Sequence, residues 1–352
     1  MPEDEVPRAL AGEAAVSAGE DDPIEGPEEH RGRHKFDLVP VGVGPVLRKE
    51  LADQLTGLRF AILLVLIGVA ALASVYLAGQ AIKDVAFQAQ GARNVFLGLF
   101  TVSGNGLPSF VSFVSFLGPL LGIAFGFDAV NSERSQGTLS RLVAQPIHRD
   151  AILLGKFLAG LATVALTLGV LMLLVGGLGL LIVGVPPSAE EVLRLIGFFL
   201  MTVLYVGFWL ALAQAFSVVF RQAATSALAA IAVWLFFAIF WSLLAGLAVD
   251  ALAPQGADPT VAQVLRHERL SEGFGRVSPI TLYGEATAPM LDPSVRSLGA
   301  LLPAQVDRAI AAPLALSQSL LLVWPQIVAL VGVVLVFFGA AYVIFMREEI
   351  RA

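Results

Sequence analysis

The sequence predicts an all-α integral membrane protein with six transmembrane helices. Three observations carry that expectation. Of its 352 residues, 57% are hydrophobic and only 14% are charged, with a mean hydropathy of +0.81. A soluble chain of this length needs more charge to stay solvated. The apolar residues gather into runs long enough to cross a bilayer, whose core of ~30 Å takes about 20 helical residues. These runs are Phe60–Gly79, Leu107–Phe127, Phe157–Val183, Leu195–Phe220, Ala223–Val249 and Leu320–Phe345, and none contains Asp, Glu, Lys, Arg or His.

The first 45 residues form a separate region. They are rich in Pro, Gly and Ala and carry much of the acid, including Glu3, Asp4, Glu5, Glu20, Asp21 and Asp22. Such a composition buries too little apolar surface to offset chain entropy, so a disordered cytoplasmic tail is expected. No apolar stretch near Met1 reads as a cleaved signal.

Residues 46–60 place Leu47, Leu51, Leu55 and Leu58 at helical spacing, with Arg48, Lys49, Glu50, Asp53 and Arg59 on the other side. This is the pattern of an amphipathic helix in the headgroup region, leading into the first span. A plain cytoplasmic extension of that span is the alternative. Asn94–Val102 is apolar but too short to span. It reads as a re-entrant or interfacial piece, or as the start of a longer second helix. The third run carries Gly169, Gly176, Gly177 and Gly179, which permit close helix approach. Gln214 and Gln326 are the notable polar side chains within spans, expected to hydrogen-bond between helices.

Orientation follows from Lys and Arg in the short loops. With both termini in the cytoplasm, the inner flanks hold Arg48, Lys49, Arg59, Arg134, Arg141, Arg149, Lys156, Arg221, Arg347 and Arg351. The short outer loops hold only Lys83, Arg93 and Arg194. The domain plan is then a region of interfacial helix and spans one to five (46–249), an extracytoplasmic loop (250–319) and the sixth span with a short cytoplasmic end (320–352). The long loop contains a short helix at Val261–Leu270 and apolar patches at Ile280–Tyr283 and Leu298–Leu302. It reads as a small cap over the spans or a mobile lid.

The segment between the second and third spans, Asp128–Gly160, holds the most informative pattern. Gly137 can end a helix leaving the membrane. Leu139, Leu142 and Val143 share one face of a short following helix, and Pro146 stops it because the residue before a proline avoids the helical region. Asp150 is placed to cap the returning helix. A short amphipathic helix held between two spans can dock in a partner's groove. An ordinary membrane-surface turn accounts for the same residues equally well.

Other chemistry is largely excluded. There is no cysteine, hence no disulfide, thiolate zinc site or cysteine nucleophile. His30, His34, His148 and His267 are scattered and read as structural. Gly155-Lys156 is followed by Phe157, and Asp150 stands where a phosphate-binding loop needs its first glycine, so the chain has no ATPase site of its own. Ion-coupled carriers and pumps usually place titratable groups inside the membrane, and the six runs offer none.

Glu133, then Gly137-Thr138-Leu139, then Pro146, Arg149 and Gly155-Lys156, together resemble the signature loop of ABC-2 type transport permeases. The six spans, the interfacial helix and the large loop between spans five and six fit that family as well. Val277-Ser278-Pro279-Ile280-Thr281-Leu282-Tyr283 is similar to a segment of the branch related to nitrous-oxide-reductase maturation. The resemblance covers about residues 46–352. It implies a multi-pass cell-membrane permease subunit of an ATP-binding-cassette transporter, exporting an unidentified cargo by alternating access. It also implies a cytoplasmic ATPase partner that binds the ATP and Mg, no cofactor on this chain, and a second permease chain, expected as a homodimer. Glu133, Gly137, Thr138, Leu139, Leu142, Val143, Pro146 and Arg149 are then expected to couple to the ATPase, with Glu133 and Arg134 as polar anchors at the membrane exit. Arg149 and Lys156 would hold the return helix near anionic headgroups. The rival reading is a non-transporting membrane scaffold anchoring an assembly through residues 250–319.

Overall fold

The computed structural model describes residues 42–86, 95–103, 107–137, 148–256, 258–298 and 313–347. The acidic tail and most of the expected coupling helix (Thr138, Leu139, Leu142, Val143 and Pro146) lie outside the described residues.

A helix α1 (Val43–Thr56) ends at Gly57, and α2 (Leu58–Ala86) follows at once. The short α3 (Val95–Thr101) precedes α4 (Phe110–Gly126), which runs through a turn into α5 (Asn131–Ser135). Then come two long helices, α6 (Arg149–Val183) and α7 (Ala189–Val219). The next span is built of α8 (Ala223–Leu235), a π turn (Phe236–Phe240) and α9 (Trp241–Leu252). Two helices from the long loop, α10 (Val261–Gly275) and α11 (Pro279–Leu291), lead on to α12 (Leu316–Arg347). Six stretches are long and apolar enough to cross a membrane: α2, α4 with α5, α6, α7, α8 with α9, and α12.

The helix ends follow local chemistry. Ser188 and Glu191 form a reciprocal capping box that starts α7, satisfying amides that the helix itself leaves open. Glu191 also reaches a neighbouring helix. Its Oε1 accepts the Phe96 N–H at 3.2 Å, tying α3 to α7. Thr260 and Gln263 form the same box at α10. Gly184 closes α6 in the left-handed region at φ 74°, where a side chain would be strained.

The bundle is organised on α7. Phe198, Tyr205, Val206, Phe208, Trp209 and Leu210 are all buried along it, with α4, α6, α11 and α12 packed around. Helices in lipid gain nothing from hiding apolar surface from water, so close backbone approach at small residues supplies the association. Here that approach is made by Gly118, Gly122 and Gly126 of α4. A Cβ at Gly122 would lie 2.5 Å from the Val206 carbonyl, and one at Gly126 would lie 2.7 Å from the Leu210 carbonyl. Of Gly169, Gly176, Gly177 and Gly179, Gly179 alone is in tight contact, against Leu99, and Gly177 has nothing within 4 Å.

Three expectations are refined. Residues 95–101 form a separate buried helix rather than the start of the second span. Helix α10 runs five residues beyond Leu270, to Gly275. Asp150 is not the cap of α6: the helix begins at Arg149 with His148 as cap residue, so Asp150 sits in the first turn. There its carboxylate accepts the Ala151 N–H at 2.9 Å and complements the positive end of the helix dipole.

Ile280–Tyr283 is part of α11, which packs into the bundle instead of lying loosely over it. Tyr283 is fully buried and stacks on Tyr205 at 4.3 Å between ring centroids. Its hydroxyl shares a 3.0 Å hydrogen bond with Thr202. The π turn was not legible in the sequence. Beyond it, the Trp241 Nε1–H reaches the Phe274 carbonyl at 2.9 Å, fastening α9 to the end of α10.

Candidate functional site

At the end of the bundle where α4 turns into α5, a set of charged side chains joins four helices. Lys156, two turns into α6, is 5% exposed. Its Nζ donates to Glu50 Oε1 of α1 at 2.7 Å and to Glu133 Oε1 of α5 at 3.0 Å. One ammonium therefore bridges two carboxylates from elements far apart in sequence. Thr163, two turns further along α6, donates to Gln54 Oε1 of α1 at 2.7 Å. Beside them Arg59, at the start of α2, pairs with Asp128 and lies over the Phe127 ring.

The local sequence explains why α1 seats here. Val46, Glu50 and Gln54 recur at four-residue spacing and form one stripe along the helix. Val46 meets α6 at Gly155, where an added Cβ would come within 2.8 Å of Val46 Cγ1. Glu50 then meets Lys156, and Gln54 meets Thr163. The leucine stripe read from the sequence is a different face: Leu47, Leu51 and Leu55 remain half-buried and Leu58 is exposed, leaving that face to lipid or solvent.

Helix α5 is held to the end of α7 as firmly. The Ser217 hydroxyl oxygen accepts the N–H groups of Val130 and Asn131 at 2.9 and 3.2 Å, and Arg134 donates to the Val218 carbonyl at 3.0 Å. Gly137 follows in the left-handed region at φ 66°, which ends the helix as expected. Gln214 of α7 donates to the Leu153 carbonyl of α6 at 3.0 Å, and Gln326 of α12 donates to Glu285 of α11 at 2.8 Å. Both glutamines thus bond between helices.

Between α1, α2, α4 and α5 lies a cleft of about 790 Å³. Its charged lining comprises Glu50, Asp53, Asp128 and Glu133 with Lys49, Arg59 and Lys156. Burial alone would lower the Lys49 pKa, but Glu50, Glu133 and Asp53 outweigh it and hold the ammonium above its ordinary value. Lys49 is therefore charged throughout the neutral range.

The structure thus brings Glu133 and Lys156 together and places Gly137 and Arg149 at the two ends of the 138–147 segment. It gives Lys156 a different position from the expected one beside headgroups, inside a buried ion-paired junction. The desolvation of an ammonium is tolerable there because two carboxylates face it. Glu50 and Gln54 were missed as members of this site. The signal available was their four-residue spacing from Val46, which the leucine stripe obscured.

The opposite end of α7 carries another polar fastening. Arg194 is 0% exposed. It donates to Glu190 at 2.9 and 3.1 Å, to the Pro289 carbonyl at 3.1 Å, to Ser319 Oγ at 3.2 Å and to the Leu314 carbonyl. The guanidinium fork joins α7 to the last turn of α11 and the first turn of α12. By sequence Arg194 counts among the short outer loops; it lies within α7 and is the hub of three helix ends.

Comparison with known proteins fits this architecture. The profile of the family described as ABC-2 family transporter protein matches residues 45–350. A protein of Pseudomonas aeruginosa named as a probable ABC transporter permease protein NosY is 34% identical over 209 residues, covering 58% of this chain and 70% of that protein. A protein of the same name from Stutzerimonas stutzeri is 26% identical over 307 residues, covering 86% of this chain and 97% of its own length. The chain belongs to the ABC-2 family of transporter proteins, within which it is similar to NosY-type permeases.

Proposed function

We propose that this chain is the permease subunit of an ATP-binding-cassette exporter, energised by a separate ATPase that docks at the Glu50–Lys156–Glu133 end. The observation that carries the proposal is the junction itself. Segment 138–147 leaves α5 just after Glu133 and returns into α6 just before Lys156. A push on that segment is transmitted through one buried ion-paired knot to α1, α5 and α6 together. Rigid-body motion of packed helices about such a knot is a standard way to couple distant sites.

In this reading the junction faces the cytoplasm, as the Lys and Arg distribution favours. Thr138, Leu139, Leu142 and Val143 press on the ATPase between Gly137 and Pro146. Glu133 and Arg149 brace the two ends of the segment. ATP and Mg bind the partner, and two copies of this chain line the pathway. Cargo crosses as the two copies alternate between inward-open and outward-open states. The charge-free middle of the spans suits a lipophilic or amphipathic cargo. The fastening at Arg194 lies on the extracytoplasmic side, where it holds α11 and α12 to α7.

The test is copurification and ATP hydrolysis. An ATPase chain should copurify with the tagged permease, and Leu139→Asp or Leu142→Asp should abolish that association while the permease stays folded. Retention of the ATPase by both variants overturns the docking reading. Failure to find any associated ATPase favours the scaffold reading instead.

A further inference from the structure

A groove of about 530 Å³ lies between the end of α9 and α10, lined by Leu252, Ala262, Leu265, Arg266, Arg269 and Leu270. The five α10 members recur at helical spacing and form one stripe along that helix. Leu265 and Leu270 are half-buried, while Arg266 and Arg269 are exposed. The lining thus offers two cations and no acid. Neither guanidinium is ion-paired among the described residues. The nearby acids Glu272 and Asp250 face Arg276 and His267 instead, and Glu268 points away from the stripe by its position on the helix. Two fastenings hold α10 against α9, so the groove is preformed. His267 Nδ1 donates to the Ala253 carbonyl at 3.1 Å, and the Trp241 Nε1–H holds Phe274 near the other end of α10.

The level of the groove follows from the sequence of the span. No charged side chain occurs between Arg221 and Asp250, a run long enough to cross a bilayer core. The Asp250 side chain that ends the run is 72% exposed. The membrane surface therefore passes near Asp250, and Leu252 with the groove lies at headgroup level. Leu243, Leu247 and Leu252 leave an exposed apolar stripe along α9, which runs from the groove into the span.

We propose that this groove binds an anionic membrane phospholipid. Arg266 and Arg269 stand one helical turn apart, about 5–6 Å between Cβ atoms, and together grip the phosphate. Guanidinium forks match phosphate oxygens in a bidentate manner. An acyl chain descends along the α9 leucines. A net negative headgroup is selected because the lining supplies two positive charges and nothing to accept a third. A zwitterionic lipid brings its own ammonium, which finds no acid in the groove. The site does not rest on the coupling reading; it needs only that α8 and α9 form a span.

The test is native mass spectrometry of the full purified chain, exposed to equal amounts of phosphatidylglycerol and phosphatidylcholine with matched acyl chains. The expected result is retention of phosphatidylglycerol about ten-fold above phosphatidylcholine. Arg266→Gln/Arg269→Gln should bring the ratio near one. Ala262→Trp, which fills the groove and keeps both charges, should also reduce retention of phosphatidylglycerol. Arg221→Gln/Arg347→Gln, at the opposite end of the spans, should leave the preference in place. Each variant is checked for folding by circular dichroism, and if the Arg266/Arg269 variant does not fold, Ala262→Trp decides. Equal retention of the two lipids by the wild type overturns the proposal and leaves the arginines to an acidic protein surface. A preference that survives in the folded groove variants, or that the Arg221/Arg347 variant removes as completely, also overturns it. Displacement of the lipid by free glycerophosphoglycerol on equal terms overturns its bilayer source.

Discussion

Replacing Lys156 by Met should destabilise the protein far more than its single charge suggests. Lys156 Nζ lies 2.7 Å from Glu50 and 3.0 Å from Glu133. All three side chains are largely shielded, at 4%, 15% and 11% exposure. Methionine fits the space but removes the cation that sits between the two carboxylates. Breaking a buried pair in this way costs about 3–5 kcal/mol, whereas removing an exposed pair costs at most about 1 kcal/mol. The residual water contact of the two carboxylates puts the expected loss near the lower figure. The companion variant Glu50→Gln/Glu133→Gln/Lys156→Met removes all three charges and should recover most of the loss. The assay is thermal unfolding in lipid nanodiscs, with the two variants and wild type side by side. A Lys156→Met variant within about 0.5 kcal/mol of wild type, the scale of an ordinary surface substitution, would refute the reasoning. So would a triple variant no more stable than the single one.

Other consequences are open to the same measurement. Gly122→Ala should cost about 1–3 kcal/mol, because its Cβ would press on the Val206 backbone carbonyl at 2.5 Å. Gly177→Ala, with nothing within 4 Å, should be neutral or stabilise by up to about 1 kcal/mol. Arg194→Lys should lower the thermal midpoint nearly as much as Arg194→Met, since an ammonium does not reproduce the fork that reaches Glu190, Pro289, Leu314 and Ser319. The raised pKa of Lys49 means its contribution is fully present below the ordinary value of 10.5 and is lost only as pH rises through the higher folded value. The difference in midpoint between wild type and Lys49→Ala should therefore be constant from about pH 7 to 9 and shrink only at more alkaline pH.

The spans and their number were legible because an apolar run of bilayer length has few other uses. Helix α1 was legible from its leucine spacing, but the face that binds α6 was not. That face pairs Val46 with Gly155, Glu50 with Lys156 and Gln54 with Thr163, and complementarity to a partner leaves no period in a single helix. The close α4–α7 approach was in plain view as glycines at 118, 122 and 126; the denser cluster in α6 drew attention from it. Arg194 could not be recognised as a hub, since apart from Glu190 its acceptors are contributed by residues near 289, 314 and 319, far along the chain. Thr138 to Pro146 lie outside the described residues, and their proposed coupling to an ATPase is supported by the junction formed by the residues on either side of them.

Labelling of a single cysteine at position 140, in cells expressing the permease with its ATPase, asks which side of the membrane the 138–147 segment faces. A Ser140→Cys variant should resist a membrane-impermeant maleimide in intact cells, react once the membrane is opened, and crosslink to an ATPase chain. Modification from the outside of intact cells would contradict the proposed coupling, because the Glu50–Lys156–Glu133 junction would then face away from any source of ATP.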